Sequence, residues 1–385
     1  MAKQAYVYSG TDWVPLASEV TNLTAYQTRA LAQAPYRNLI INGDMQVAQR
    51  GTSVAGNTTG GYLTADRWYT EIGNNSLGTW TQSVENDAPT GSGFAKSLKM
   101  LCTTADASPA ASDYVLVQQR IEGQNLQQVK KGTAAAEQLT VSFWVKSNVT
   151  GTYNVALYDN DNSGRAQSRT YTVNASATWE RKTLTFSADT TGVLDNDNAR
   201  SLDLSFWLGV GSNFTSGTAN PAAWSTTLGN LAPGQTNVAS ATNNYWQITG
   251  VQLEVGATAT PFEFKSVEDE LLECQRYYQK SYNQGTNPGT AVNYAGAVVW
   301  SSVTTGAYGS AAPVFLKTTM RATPTVTIYN PETGATGSIR GISAGNNFAG
   351  MADYIGDNTF AIYATATQSS AGFLIGTHYV AQIEL

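Results

Sequence analysis

The side chains of this chain that could do chemistry are few, and their spacing narrows the choice. DNDNSG at 159–164 and DNDNAR at 195–200 alternate carboxylate and amide oxygens, the donor type that a hard cation such as calcium takes. Neither run carries the glutamate that closes an EF-hand loop; RTYTVN stands where that closing residue would fall in the first. Asn and Asp also favour turns through their own backbone hydrogen bonds, so turn chemistry is the expectation. The single histidine, His378, sits in the last strand pattern beside Tyr379, with no serine or cysteine context that would make it a general base. With two cysteines and one histidine in the chain, zinc spacing is absent. Carboxylates for a glycosidase pair exist among Asp44, Asp66, Glu71, Glu85, Glu122 and Glu254. They come without a signature and read as surface acids, so no catalytic residue is assigned.

What remains is aromatic. Nine tryptophans and twenty tyrosines can stack on the apolar faces of sugars while Asn, Asp and Gln meet the hydroxyls. The loop aromatics Trp224 and Tyr245 are the glycan-binding candidates; Trp144, Trp179 and Trp207 have flanks that read as sandwich core.

The elements that must position these groups are mainly strands. Residues 2–16 alternate around Ser-Gly-Thr-Asp and predict a hairpin carrying Tyr6, Tyr8 and Trp13. Leu16, Val20 and Leu23, then Thr24-x-x-Gln27, predict a short helix up to Pro35. From 36 to 265, period-two runs recur at short intervals. In LTVSFWVKS, Leu139, Val141, Phe143 and Val145 share one face. About a dozen such strands between Gly-rich loops predict a two-sheet sandwich of the jelly-roll kind.

Residues 266–285 change period. Ser266 is a cap, Glu268, Asp269 and Glu270 suit the positive end of a helix, and Val267, Leu271, Cys274 and Tyr278 form a 4-3-4 apolar seam. That segment is expected to be a linking helix whose seam packs between domains or between copies. A second, smaller β-sandwich is expected from 286 to 385. The whole is mainly β, in four parts: 1–35, 36–265, 266–285 and 286–385.

A formal net charge of −6, with 22 basic residues spread thinly, argues against nucleic acid as a partner. No run of 18 apolar residues predicts membrane insertion, and MAKQAYVYSGTDW lacks the apolar core of a secretion signal. Cys102 and Cys274 lie far apart and read as free thiols of a chain made in a reducing cytoplasm.

Four ordered motifs carry a resemblance: RNLIINGDMQVAQRGTS, TADRW, YWQITGVQLEVGATATPFEFKS and ELLECQRYYQKS. Together they resemble a family of phage virion proteins of the marine and cyanobacterial type, tail fibres and minor structural proteins whose central fold looks like the jelly roll of carbohydrate-binding modules. VFLKTTMRATPTVTIYN resembles the C-terminal β domain of such fibres, and AYVYSGTDWVPLAS their N-terminal hairpin. The resemblance implies a non-enzymatic homotrimer on the virion surface, made in the host cytoplasm. Other virion proteins would hold its residues 1–35 through Tyr6, Tyr8 and Trp13, and its outer β domains would contact host cell-surface polysaccharide. A capsid-attached head fibre or decoration protein is the alternative address, and a polysaccharide-degrading enzyme the alternative of another class. Carbohydrate-binding jelly rolls often hold a structural calcium through an acid after the opening Asn-Gly and another in the last strand. Asp44 and Glu254 hold those positions here, although the exit ITGVQLEVG lacks an Asp pair.

Overall fold

The computed structural model describes residues 6–8, 13–15, 36–73, 77–301, 311–343, 345–364 and 374–385. The expected helix within 16–35 lies outside the described residues. The expected hairpin is present: β1 (Tyr6–Tyr8) pairs antiparallel with β2 (Trp13–Pro15).

The central region is a sandwich of two six-stranded antiparallel sheets. The back sheet holds β3 (Ser53–Asn57), β6 (Thr79–Glu85), β7 (Ser97–Thr104), β9 (Leu139–Ser147), β12 (Glu180–Phe186) and β14 (Tyr245–Val255), in the order β12-β9-β14-β7-β6-β3. The front sheet holds β4 (Gly60–Tyr62), β5 (Tyr69–Gly73), β8 (Tyr114–Glu122), β10 (Gly151–Asp159), β11 (Arg165–Val173) and β13 (Arg200–Val210), in the order β11-β10-β13-β8-β5-β4. Strands neighbouring in space are often distant in sequence, as a jelly roll requires. Alternation decides what is buried. Leu139, Val141, Phe143 and Val145 of β9 face Leu202, Leu204, Phe206 and Leu208 of β13 in one core that also holds Trp68, Trp80 and Trp246. Each such side chain taken from water contributes roughly 1.5–3 kcal/mol.

Beyond the sandwich lies α1 (Val267–Gln275), with Ser266 as its N-cap, accepting from the Asp269 N–H at 3.1 Å. Nine residues are too few for a helix to stand alone. The helix ends before Tyr278, which begins β15 (Tyr278–Lys280), paired with β22 (Leu374–Gln382). The expected helical seam is corrected accordingly. Val267 is 59% exposed, Leu271 is half-buried, Cys274 is fully buried, and Tyr278 is buried in a strand. An aromatic four residues beyond Cys274 suits a helix, but here pairing to a strand about a hundred residues away overrides local periodicity.

β22 is the centre of an eight-stranded sheet. It pairs with β15, β16 (Val298–Ser301), β18 (Thr325–Tyr329) and β19 (Ser338–Gly341), and β20 (Asn346–Asp353), β21 (Thr359–Ala364) and β17 (Ala311–Phe315) continue the path. Its own apolar cluster includes Met320, Ile339, Ile362 and Ile375.

The four motifs converge where this sheet meets the sandwich. Asn42 takes a left-handed conformation, bonds its side chain to Val47 and Asp66, and receives the Trp68 indole N–H on its carbonyl. A Cβ on Gly43 would lie 2.2 Å from the Val251 carbonyl oxygen, so only glycine fits there. Glu263 of PFEF accepts the N–H groups of Tyr36, Arg37 and Asn38. Arg50 lies over the Tyr278 ring at 3.8 Å and Arg67 over Tyr277 at 3.5 Å, and both bond Glu384. The Lys280 ammonium donates to the carbonyls of Gln49, Gln284 and Thr286; burial brings its pKa down to about 8.

Candidate functional site

The outer face of the front sheet carries a groove of about 310 Å³. Register builds it row by row. Tyr158, Asp203 and Arg120 lie side by side on β10, β13 and β8; Ala156, Ser205 and Gln118 form the next row; Trp207, Leu116 and Glu71 form the third. Core residues of the same strands point the other way, since the side-chain period is two. A bulge after Trp207 shifts the β13–β8 register, so that Val210 falls opposite Tyr114. Short 3-10 turns at Ser212–Phe214 and Leu228–Asn230 then bring Phe214, Leu228 and Leu231 to the groove.

One end is aromatic and apolar. Tyr114, Trp207 and Phe214 form a triangle of rings with centroids 5.4–6.0 Å apart. Trp207 is only 5% exposed, and its Nε1 has no hydrogen-bond partner among the described residues. The rest is polar and preorganised. Glu71 accepts the Tyr114 hydroxyl at 2.7 Å and the Gln118 amide at 2.8 Å, and Ser205 donates to Gln118 at 3.0 Å. Arg200 donates from Nε to Asp203 at 2.9 Å, and the Asn160 amide reaches the same carboxylate at 3.0 Å. Burial and the Glu71 carboxylate lift the Tyr114 phenol well above its ordinary range, so it remains a donor. Burial works against the Arg200 charge, but its bonds to Asp203 outweigh it and raise the guanidinium pKa. An apolar ring surface beside fixed donors and acceptors suits a small ligand rich in hydroxyls.

The candidates read from sequence fall elsewhere. Trp224 is buried, donates to the Ser187 carbonyl at 3.0 Å and lies under the Lys131 ammonium. Tyr245 begins β14 on the back sheet, with Lys99 4.9 Å from its ring centroid. Tyr245 belongs to the back sheet and Trp224 lies in the main core, so neither lines the groove. Trp207, read as core, is buried, but in a second apolar cluster on the outer side of the front sheet with Leu116, Phe214 and Leu231 rather than between the two sheets. The alternation in SLDLSFWLGV carried the signal, because Leu204 and Phe206 turned inward put Trp207 with Asp203 and Ser205.

The oxygen-rich runs are turns organised by protein groups. Lys131 pairs with Asp159 and Asp189 and donates to the Gly192 carbonyl at 3.0 Å. Burial would raise the Asp189 carboxyl, but Lys131 and Thr191 hold it down to about 2. Glu254 accepts the Thr260 N–H and hydroxyl and the Gln252 amide, so its oxygens serve protein donors. Asp44 keeps one buried oxygen without a donor, and burial raises its carboxyl. Among the described residues no group of three or more His, Cys, Asp or Glu side chains is placed to hold a metal ion. His378 is buried, stacked on Tyr282 at 3.9 Å and bonded through Nδ1 to the Ser281 hydroxyl at 3.0 Å. Tyr8 of the hairpin is 56% exposed.

A larger cleft of about 610 Å³ lies at the joint, beside α1 and the turns after β8. Its four cations have protein partners: Arg276 in Glu122, Lys265 in Glu273, Arg67 in Glu384, and Arg120 in the Leu385 carbonyl and, at 3.6 Å, Glu71. The smaller groove combines aromatic floor and open polar wall, and it is the better-formed site.

No family model matches the chain, and no curated protein does either. Among solved structures it is similar to the enzymatically active domain of bacteriophage CBA120 tailspike protein 4, at 16% identity and a TM-score of 0.31, over 58% of this chain and 22% of that one. It is also similar to a family 61 carbohydrate-binding module in complex with β-1,4-galactotriose (12% identity, TM-score 0.27, 57% and 99% covered). A family 11 carbohydrate-binding module of a Clostridium thermocellum cellulase is likewise similar (12%, 0.26, 53% and 96%). The chain thus spans about a fifth of the tailspike domain and nearly all of each module.

Proposed function

We propose that this chain is a non-enzymatic structural protein of a bacteriophage virion, a fibre component that holds host-surface glycan in the front-sheet groove. The observation that carries the glycan reading is the ring triangle of Tyr114, Trp207 and Phe214 beside the Glu71–Gln118–Ser205 network. The virion reading rests on the four ordered sequence motifs, which meet at one joint. The chain assembles as a homotrimer, anchors through residues 1–35 to other virion proteins and turns its β domains to the host. Titrating the full chain with oligosaccharides prepared from host surface polysaccharide, followed by NMR of tryptophan indoles, tests the glycan reading; no change at Trp207 would dismiss it. Sedimentation of the purified chain tests the trimer, and labelling on intact particles distinguishes tail from capsid.

A second reading has one observation in its favour. Glu71 and Asp203 are two carboxylates in one groove, as a glycoside hydrolase needs. Release of reducing ends from host polysaccharide, lost on Glu71→Gln, would establish it in place of the binding reading.

A further inference from the structure

Resting on the reading of the chain as a homotrimer, we propose that its copies meet through the outer face of the last sheet, around Phe315, Met351 and Tyr354. Alternation along neighbouring strands builds that face. Val314, Phe360 and Ile362 turn inward to the apolar cluster of the sheet, so Phe315, Ala361 and Tyr363 turn outward. Register then sets the rows. Ala311, Tyr363 and Met351 lie side by side on β17, β21 and β20; Pro313, Ala361 and Asp353 form the next row, and Phe315 stands beside Thr359. The Tyr354 ring, just past β20, packs 5.9 Å from that of Tyr363. This apolar face is open to water: Phe315 is 75% exposed, Tyr354 74% and Met351 39%. An aromatic side chain carries roughly 150–250 Å² of surface, so the two rings alone leave on the order of 300 Å² bare, the size at which an apolar patch marks an interaction site.

The chemistry of the face points to a second copy as its occupant. Copies of one chain bring the same charges to any contact between them, and at −6 each they repel. In these rows Asp353 alone is charged, whereas the outer face of the front sheet holds Glu71, Arg200 and Asp203. Repulsion between copies is therefore least here. A sugar would need fixed donors and acceptors beside the rings, and alanine, proline and methionine supply none. An anionic lipid surface would need clustered basic residues, and the rows have none. Proline on an edge strand blunts edge-to-edge pairing, and Pro313 sits in the middle of β17, the last strand on the path of the sheet. Contact face to face is what remains. Turned to a three-fold axis, the face meets one neighbour across its β17 side and the other across its β20 side.

The test is sedimentation of the full chain over a range of concentrations, the parent beside Phe315→Lys and Met351→Lys. The parent should form trimers, and each substitution should raise the concentration of half-assembly roughly tenfold or more. Melting of the dilute chain should stay the same, because both side chains lie on the surface. A trimer equally tight in both variants would overturn this face and leave the homotrimer standing. A parent that stays monomeric throughout would overturn both and leave the glycan reading untouched. The Met351 methyl resonance, assigned by its loss in Met351→Leu, reports the occupant without a lysine variant. It should shift as copies associate. A shift produced instead in the monomer by oligosaccharides from host surface polysaccharide, or by phosphatidylcholine vesicles, would give the face to another partner and overturn the proposal.

Discussion

The groove and the joint use the same kinds of side chain, tyrosines with arginines and carboxylates, and differ in what those groups have left to offer. At the joint, Glu122 is fully buried and takes both Nε and Nη2 of Arg276, at 2.9 and 2.8 Å, along with the Tyr277 hydroxyl. Burial would lift the Glu122 carboxyl, but Arg276 and Tyr277 outweigh it and hold it below its ordinary range. Arg50 and Arg67 stack on tyrosines and share Glu384. In the groove, Glu71 holds one hydrogen bond on each oxygen and an Arg120 ion pair at 3.6 Å yet stays 30% exposed, and Asn160 Oδ1 accepts no hydrogen bond among the described residues. Consumed polarity fastens two parts of the chain; the groove's remaining polar capacity beside an aromatic surface is what the proposed glycan would use.

Removing one partner from the closed set should have the largest effect. Glu122→Ala leaves Arg276 and Tyr277 facing a buried gap and should cost about 3–5 kcal/mol in urea unfolding; a change under about 1 kcal/mol would show that the joint contributes little to stability. Glu270 is the exception within the joint. Its carboxyl, buried on α1, accepts the Asn42 N–H, and burial above all raises its pKa to about 7. Lys265 and the Asn42 N–H pull the other way, while Glu273 and Asp44 add to the rise. A folded pKa above the ordinary 4.5 means that its contribution is complete below about pH 4.5 and lost as pH rises through 7. Glu270→Gln, which mimics the protonated acid, should match the parent near pH 4.5 and exceed it at pH 8 by on the order of 1–3 kcal/mol. Thermal melts across that range that stay parallel would contradict this.

In the groove the expected cost to stability is smaller. Tyr114→Phe deletes the hydroxyl bond to Glu71 and should cost about 1.5 kcal/mol in chemical denaturation, while weakening sugar binding more than folding. Equal binding would place the ligand away from Glu71. Val267→Ser should be the mildest, within about 0.5 kcal/mol for the dilute chain, because the side chain is exposed. A loss that grows with protein concentration would reveal a contact between copies and restore Val267 to an oligomer seam.

Short-range patterns were readable in the sequence. The cap at Ser266, the inward row of β9 and the turn character of the DNDN runs follow from local rules, and the structure has each of them. The site was harder. Alternation along β13 points Trp207 outward, yet its flanks Phe206 and Leu208 resemble core, and the residues that bury it, Phe214 and Leu231, arrive from loops whose course no local rule predicts. Trp224 looked like a loop aromatic because its partners, Lys131 and Ser187, are distant in sequence. Tyr278 fitted a helix by spacing and became a strand through pairing with Gln382.

That pairing also bears on how the molecule carries load. The last sheet is joined to the sandwich side by Tyr278–Lys280, and β22 returns antiparallel beside it, with Glu384 clasped by Arg50 and Arg67 of the sandwich. A pull applied at the far loops of that sheet therefore reaches the sandwich along two strands at once. The covalent link at Tyr278 and the Glu384 ion pairs then share that load, so the sheet is held at two points, where a single tether would leave it free to pivot.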